Sequence, residues 1–344
     1  MTAPTDDRYS RQILLPQIGA EGQARLAAAR ALIVGAGALG SHAAETLARA
    51  GVGRLVVVDR DIVEPSNLPR QALFTEADAA EALPKAVAVQ RRLAAIASAC
   101  RVEAVVEHLD AGRVEALVAE ADGVIDGADN FETRYLLNDA CVKLGRPWVY
   151  AGVIGTTALT MAVVPGRTPC LRCLFDEAPP REETPTCDTA GVLSTAVRAI
   201  SAFQVTEALK ILVGRIDEAG RALLRLDVWT GECSRTDLND ARRDDCPCCV
   251  QRRFPFLEPR RQTTAAALCG RQAVQVMPGS PAALDLDSLA GRYPAAQIVA
   301  RNAYLLRLRA DEAELTVFAD GRAIVSGIDD PKRALALYAR YVGH

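Results

Sequence analysis

Short hydrophobic runs alternate with longer amphipathic stretches through the first half of the chain. The short runs predict buried strands, which are ALIVG (Ala31–Gly35), RLVVVD (Arg54–Asp59), Val102–Leu109, Gly123–Asp129 and Pro147–Gly155. The stretches between them predict helices over Gly40–Ala50, Lys85–Ala99, Arg113–Ala119 and Phe131–Leu144. Because strands that alternate with helices favour parallel pairing, this half predicts an α/β fold with a doubly wound, mostly parallel sheet.

The pattern changes in the second half of this region. Ala158–Gly166 and LLRLDVWTGECSRTDL (Leu223–Leu238) predict later, antiparallel strands. Between them, Asp176–Gly191 is rich in proline and charge, which predicts a mobile loop without regular structure. Val197–Gly214 predicts an amphipathic helix that ends at its glycine.

The pattern of hydrophobic and polar positions changes again near Pro259. Strand-like alternation returns in YLLRLR and AELTVFADGRAIVSG, where Asp320 and Gly321 form a tight-turn pair, and a closing helix is expected over Pro331–Gly343. We therefore predict two domains, a main α/β domain over 1–258 and a small α+β accessory domain over 259–344. The second contains no catalytic constellation.

Composition narrows the class of protein. The 344 residues carry 40 basic and 43 acidic side chains, so the net charge of −3 gives no reason to expect a nucleic-acid partner. No apolar run is long enough to span a membrane, and the polar start MTAPTDDRYSRQ lacks a signal-peptide core. We expect a cytoplasmic protein.

A glycine-rich loop lies between the first predicted strand and helix. Gly35, Gly37 and Gly40 have the G-x-G-x-x-G spacing that lets a backbone approach a polyphosphate at a helix N-terminus. Asp59 closes the next strand, where an acid can hold ribose hydroxyls. This half of the chain therefore predicts a Rossmann-like nucleotide site.

The residues downstream favour ATP over NAD. Asn67, Arg70, Gln71 and Lys85 supply two cations and two amides, which suit a triphosphate whose phosphorus is attacked. Asp129 ends a strand at the carboxyl edge of the sheet and could hold Mg²⁺. Two neighbours in the same motifs join the candidate nucleotide site, Asp61 and Asn130.

Two cysteine pairs predict a structural zinc site. Cys170 and Cys173, with Cys246 and Cys249, could close a tetrahedral four-thiolate site. Cys248 leaves the second pair open, since it could replace either Cys246 or Cys249 as a ligand. The alternative is a set of free thiols.

The ordered motifs RYSRQ, GAGALG, DRDIVEPSNLPRQ, PKA and DGADN resemble the ThiF/MoeB/HesA family, relatives of the ubiquitin-activating enzymes, from Arg8 to Cys249. The resemblance implies adenylation of the C-terminal Gly-Gly carboxylate of a ubiquitin-fold sulfur-carrier protein. It implies that Asp59 holds the ribose, that Asp129 holds Mg²⁺, and that three side chains hold phosphates: Asn67, Arg70 and Lys85. It also implies a homodimer in which Arg11 reaches the partner subunit's site.

The resemblance leaves the pathway and the sulfur step open. The carrier would be ThiS-like or MoaD-like, serving thiamine-thiazole, molybdopterin or related synthesis, and a sulfurtransferase or cysteine desulfurase is a further candidate partner. Cys187 in the proline-rich loop is a candidate nucleophile that would link to the carrier, or a spectator. The alternative functions are an NAD-dependent oxidoreductase and a non-catalytic carrier-binding module.

Overall fold

The computed structural model describes residues 7–177, 187–258, 264–267, 272–278 and 284–343. The chain divides into two compact units, Met1–Glu258 and Pro259–His344. Within the described ranges, no helix is both long and apolar enough to cross a membrane.

The first unit is built on one eight-stranded sheet in the order β3-β2-β1-β4-β5-β6-β7-β8. Its strands are β1 (Arg30–Val34), β2 (Arg54–Val58), β3 (Arg101–Val105), β4 (Gly123–Asp126), β5 (Trp148–Ile154), β6 (Thr157–Val163), β7 (Ala222–Asp227) and β8 (Glu232–Asp237). Strands β1 to β5 pair in parallel, and β5 to β8 continue the sheet in antiparallel pairs.

Ten helices belong to the described part of this unit: α1 (Ser10–Ile13), α2 (Gly19–Ala28), α3 (Ala38–Arg49), α4 (Glu76–Ala80), α5 (Lys85–Ile96), α6 (Ala111–Ala119), α7 (Phe131–Leu144), α8 (Leu171–Leu174), α9 (Cys187–Ala190) and α10 (Ser194–Leu212). The central strands are nearly continuous apolar runs that are buried along almost their whole length, as expected of a parallel sheet covered on both faces.

The second unit contains a six-stranded antiparallel sheet in the order β11-β12-β13-β14-β10-β9. Its elements are β9 (Thr264–Ala267), β10 (Ala273–Met277), α11 (Leu286–Ala290), β11 (Ile298–Arg301), β12 (Leu305–Ala310), β13 (Ala313–Phe318), β14 (Ala323–Ser326) and α12 (Pro331–Tyr341). Residues of β10, β12, β13 and β14 form one apolar core with both helices. The hairpin between β13 and β14 turns at Asp320 and Gly321, as predicted.

The predicted α/β class, with its parallel and later antiparallel strands, is confirmed. The helices α2, α4, α8 and α11 are not among the predicted elements, and several predicted elements have different ends. Helix α3 begins at Ala38 rather than Gly40, so that Gly40 lies inside the first turn. The sequence predicts no regular structure in the proline-rich stretch, yet Cys187–Ala190 forms one helical turn after its last proline. Residues 178–186 of that stretch lie outside the described ranges.

Candidate functional site

The three loop glycines have different surroundings. A Cβ on Gly35 would lie 2.4 Å from the Gly127 carbonyl oxygen, and one on Gly40 would lie 1.8 Å from the Gly35 carbonyl oxygen. Gly35 also has a φ of +88°, which favours glycine. Among the described residues, the atom nearest to a Cβ on Gly37 would be Gln71 Nε2, at 3.8 Å. Gly35 and Gly40 therefore permit close packing of β1, α3 and β4, while Gly37 leaves its side of the loop open.

Asp59 follows β2 and is held by two main-chain groups. Its Oδ2 accepts the N–H of Ala36 in the glycine loop at 2.6 Å, and its Oδ1 accepts the N–H of Asp61 at 2.7 Å. The carboxylate is therefore fixed beside the loop. Burial raises the pKa of the Asp59 carboxyl, and the positive charge of Lys85 opposes that shift.

Lys85 is the first residue of α5, and its side chain is only 7% exposed. Its Nζ lies 3.1 Å from Asp61 Oδ2. Burial acts to lower the pKa of the Lys85 ammonium, but the nearby carboxylates of Asp61, Asp59 and Asp129 outweigh it and raise the pKa. The site thus holds a charged lysine in a nearly dry position.

Asn67, Arg70 and Gln71 lie in and after the 3₁₀ turn Pro65–Asn67. Asn67 is fully buried, and its Oδ1 accepts the N–H of Glu64 at 3.1 Å. The half-exposed Arg70 donates from Nη1 to the Ser66 carbonyl oxygen at 2.6 Å. Gln71 is 5% exposed, and its buried Oε1 has no hydrogen-bond partner within the described residues. The structure brings Gln71 beside the open side of the glycine loop and leaves it an unused acceptor.

Asp129 is exposed in the turn between β4 and α7. Asn130 donates from Nδ2 to Asp129 Oδ1 at 3.0 Å and caps α7 by accepting the N–H of Thr133 at 2.9 Å. The predicted site residues Asp59, Asp61 and Asp129 therefore all lie within electrostatic reach of Lys85, at the carboxyl edge of the parallel strands.

A buried ion pair behind this turn, between Arg134 and Asp126, was not predicted from the sequence. Arg134 Nε lies 3.1 Å from Asp126 Oδ2, and Arg134 Nη2 donates to the carbonyl oxygens of Ala128 and Ala151 at 2.9 and 3.1 Å. Asp126 Oδ1 accepts the N–H of Ala128 at 2.9 Å. The backbone just before Asp129 is thus fixed by both members of the pair. The available signal was the arginine in DGADNFETR, eight residues after its acid.

Arg11 lies on the short helix α1. Its neighbour Gln12 fixes the helix by donating from Nε2 to Gln23 Oε1 and to the Ala50 carbonyl oxygen, at 2.7 and 2.8 Å. Arg11 itself is exposed and, among the residues that the structure describes, has no hydrogen-bond or ion-pair partner. Leu14 and Leu15, just after the helix, are also exposed.

Four cysteines from two distant segments of the first unit meet at one point. The sulfurs of Cys170, Cys173, Cys246 and Cys249 all lie within 4.8 Å of one another. Three of the separations are 3.9 Å (Cys170 to Cys173), 3.6 Å (Cys170 to Cys246) and 3.5 Å (Cys173 to Cys249). A tetrahedral zinc with Zn–S bonds of about 2.3 Å has edges of about 3.8 Å between sulfurs, so this donor set fits the metal.

Cys248 lies beside the cluster, where its thiol interacts with Cys170, but its sulfur is not among the four that lie within 4.8 Å of one another. It is fully buried, and Asn138 of α7 donates from Nδ2 to its sulfur at 3.2 Å. The same Asn138 accepts the N–H of Leu171 at 2.9 Å and so also holds the segment that carries the first cysteine pair. The geometry favours Cys246 and Cys249 as the second pair.

Cys187 begins the short helix α9, and its side chain lies outside what the structure describes. Just beyond that helix, Gly155 donates its N–H to the Gly191 carbonyl oxygen and accepts from Leu193, at 2.9 and 2.8 Å. These bonds tie the chain after Cys187 to the turn between β5 and β6.

Comparison with known proteins agrees with this fold. The ThiF family profile matches residues 9–248. A sulfur carrier protein ThiS adenylyltransferase of Bacillus subtilis is 46% identical over 98% of this chain and 99% of its own length. A sulfur carrier protein adenylyltransferase of Thermus thermophilus is 42% identical over 71% of this chain and 90% of its own. The crystal structure of E. coli MccB with ATP shares the fold, with a TM-score of 0.61 at 24% identity over 71% of this chain and 74% of that one. The chain belongs to the ThiF family.

Proposed function

We propose that this chain catalyses the ATP-dependent adenylation of the C-terminal Gly-Gly carboxylate of a ThiS-like sulfur-carrier protein, with release of pyrophosphate. The observation that carries the proposal is the likeness to a ThiS adenylyltransferase over 98% of this chain, which includes the second unit. The thiazole branch of thiamine synthesis is the pathway that this likeness favours over molybdopterin synthesis.

The geometry of the sheet edge suits this reaction. A carboxylate attacks the α-phosphorus of ATP, and both reactants are anionic, so catalysis depends on neutralising charge and aligning the reactants. Lys85 is buried, charged and close to the glycine loop, and Arg70 lies on the adjoining turn. These two cations would hold phosphates. The attacking carboxylate is already ionised, so no general base is required.

Asp59 would bind the ribose hydroxyls. Each of its oxygens accepts one main-chain N–H, and a carboxylate oxygen can accept a second hydrogen bond. Asn67, whose Oδ1 serves the turn, would contribute its amide N–H₂ group, and the unused Oε1 of Gln71 would accept from the nucleotide or its water shell.

Asp129 would hold Mg²⁺ with phosphate oxygens. Its side chain is exposed, and carboxylate oxygens are the ligands that this cation prefers. When bound, Mg²⁺ neutralises phosphate charge in the transition state. Asn130 and the pair Asp126–Arg134 would hold the Asp129 turn in place.

Two further features complete the proposal. The exposed Arg11, with Leu14 and Leu15 beside it, supports a homodimer in which this guanidinium completes the partner subunit's site. The four-cysteine cluster would bind a structural zinc ion. A role for Cys187 in linking the carrier, with a sulfurtransferase or cysteine desulfurase as sulfur source, stays a prediction.

Pyrophosphate exchange tests the function. The chain is incubated with ATP, Mg²⁺, labelled pyrophosphate and either a ThiS-like or a MoaD-like carrier, each also prepared without its C-terminal Gly-Gly. We expect exchange that requires the Gly-Gly end and is faster with the ThiS-like carrier. Exchange with the MoaD-like carrier alone would overturn the pathway, and no exchange with any ubiquitin-fold carrier would overturn the activity. Binding of NADH in place of ATP would favour an oxidoreductase.

A further inference from the structure

The first turn of α3 hydrogen-bonds to a second segment besides the glycine loop, the segment that contains Ala72. Ser41 is fully buried, and its Oγ accepts the N–H of Ala72 at 3.2 Å while donating to the Ala38 carbonyl oxygen at 3.3 Å. The main-chain N–H of Ser41 donates to the Gly37 carbonyl oxygen at 3.0 Å. One buried hydroxyl therefore joins the segment that follows Arg70 to the helix that begins in the loop.

His42 makes a second connection from the same turn. The residue is buried, and its ring lies beside the main chain of Arg70. Its Nε2 is buried and has no hydrogen-bond partner within the described residues. Ser41 thus holds Ala72, His42 packs beside Arg70, and Gln71 between them lies against Gly37.

Arg70 needs such support if it is to act on a nucleotide. The turn that carries Arg70 is closed by hydrogen bonds between residues close in sequence. The N–H groups of Arg70 and Gln71 both donate to the Asn67 carbonyl oxygen, at 3.1 and 3.0 Å. Its guanidinium is half-exposed and bonds to Ser66 in the same turn. A cation contributes most to catalysis when its position is fixed before the substrate arrives. The contacts from α3 set the spacing between this turn and the open side of the glycine loop.

We infer that Ser41 and His42 are positioning residues that hold Arg70 and Gln71 at the correct distance from the glycine loop for a nucleoside triphosphate. The inference rests on the proposed function, because it assumes that ATP lies between the loop and Arg70. Neither residue touches the nucleotide. Their effect on ATP binding passes through the Arg70–Ala72 segment.

A matched pair of variants tests His42. His42→Leu has a side chain of similar size but removes the polar ring beside the Arg70 main chain, whereas His42→Asn keeps an N–H group near the position of Nδ1. With Mg²⁺ and ATP in titration calorimetry, we expect binding about tenfold weaker in the leucine variant, a change of about 1.4 kcal/mol. The asparagine variant should bind within about threefold of wild type. Ser41→Ala gives an independent test of the Ala72 connection and should weaken ATP binding in the same direction.

A double-mutant cycle with Arg70→Ala separates positioning from general damage to the fold. If His42 acts through Arg70, His42→Leu should add less than twofold to the loss that Arg70→Ala causes alone. Independent, additive losses would overturn the inference, as would equal ATP affinity in His42→Leu and wild type. Melting temperatures are measured to check that each variant is folded.

Failure of the proposed function would look different. In that case the wild-type chain would not bind ATP, or would bind ATP and not exchange pyrophosphate with any carrier. The inference fails by itself when wild type binds ATP, Arg70→Ala weakens that binding, and His42→Leu and Ser41→Ala do not.

Discussion

The proposed nucleotide edge of the first unit, formed by the glycine loop with Asp59, Lys85 and Asp129, and the cysteine cluster gather polar groups in opposite ways. In the cluster, four short side chains from two distant segments turn their sulfurs toward one point, all within 4.8 Å. At the nucleotide edge, Lys85 is buried, Asp129 is exposed, and a Cβ on Gly37 would still lie 3.8 Å from Gln71 Nε2. The first arrangement is closed, and the second leaves room and unused polar atoms.

This difference indicates what each region contributes. A closed set of four thiolates has no position for a substrate, so its metal would contribute to folding. A buried lysine among acids is costly to desolvate, and replacing such a group with an apolar one is often neutral or stabilising. Lys85 with Asp61 and Asp59 is therefore better explained by a charged ligand than by stability.

The largest effect is expected from Asp129→Ala. Removing the proposed Mg²⁺ ligand should lower carrier-dependent pyrophosphate exchange by roughly 10²-fold or more, because its charge acts mainly in the transition state. Asp129 is exposed, so the melting temperature should stay close to that of wild type. Asp240→Ala, which removes an exposed acid after β8, is the matched control and should keep full activity. Near-normal pyrophosphate exchange in Asp129→Ala would contradict the assignment of Asp129 as the Mg²⁺ ligand.

Substitutions in the cysteine cluster, unlike Asp129→Ala, should act by lowering the stability of the fold. Freshly purified, reduced protein should contain about one zinc ion per chain. Cys170→Ser or Cys246→Ser should lose the metal and melt at a lower temperature, since structural zinc contributes directly to folding. Cys248→Ser is the control and should keep its zinc, because this sulfur is held by Asn138. Metal analysis that finds no zinc in wild type, or loss of zinc in Cys248→Ser alone, would contradict the assignment.

Arg11 tests whether the nucleotide edge is completed from outside its own chain. Arg11→Ala and Asp129→Ala should each be inactive alone. In a mixed dimer one site would carry both changes and the other neither, by the symmetry of a two-fold interface. Equal mixing with free exchange makes about half of the dimers mixed, so roughly a quarter of wild-type activity should return. No recovery after verified subunit exchange would mean that Arg11 acts within its own chain or not at all.

Local signals explain why the fold could be predicted from the sequence. Helix α7 has the predicted bounds because Asn130 caps its start and Gly145, with a φ of +68°, ends it. The parallel order followed from strands that alternate with helices. The chain divides into its two units between Glu258 and Pro259. The residues that follow this division, 259–263, lie outside the described ranges.

Contacts between segments that are distant in sequence were harder to predict. The contacts of Ser41 and His42 with residues 70–72 depend on the position of α3 in the fold. The spacing of these residues along the sequence does not reveal that position. Asp126 and Arg134 are close in sequence, but only the turn between β4 and α7 places the guanidinium against Ala151 of the next strand. The choice between Cys248 and its neighbours likewise required the position of Asn138.

The smallest effect concerns pH and again involves the buried turn of α3. Burial lowers the pKa of the His42 imidazole, with Arg198 adding to the shift and Glu45 opposing it. The unfolded chain takes up a proton near the ordinary pKa of about 6.5, and the folded chain resists it, so stability falls as the pH drops below that value. The loss from one histidine is at most about 1.4 kcal/mol per pH unit. Urea unfolding at two pH values on either side of that pKa should show a smaller acid loss in His42→Asn than in wild type, and equal losses would mean that His42 does not resist protonation.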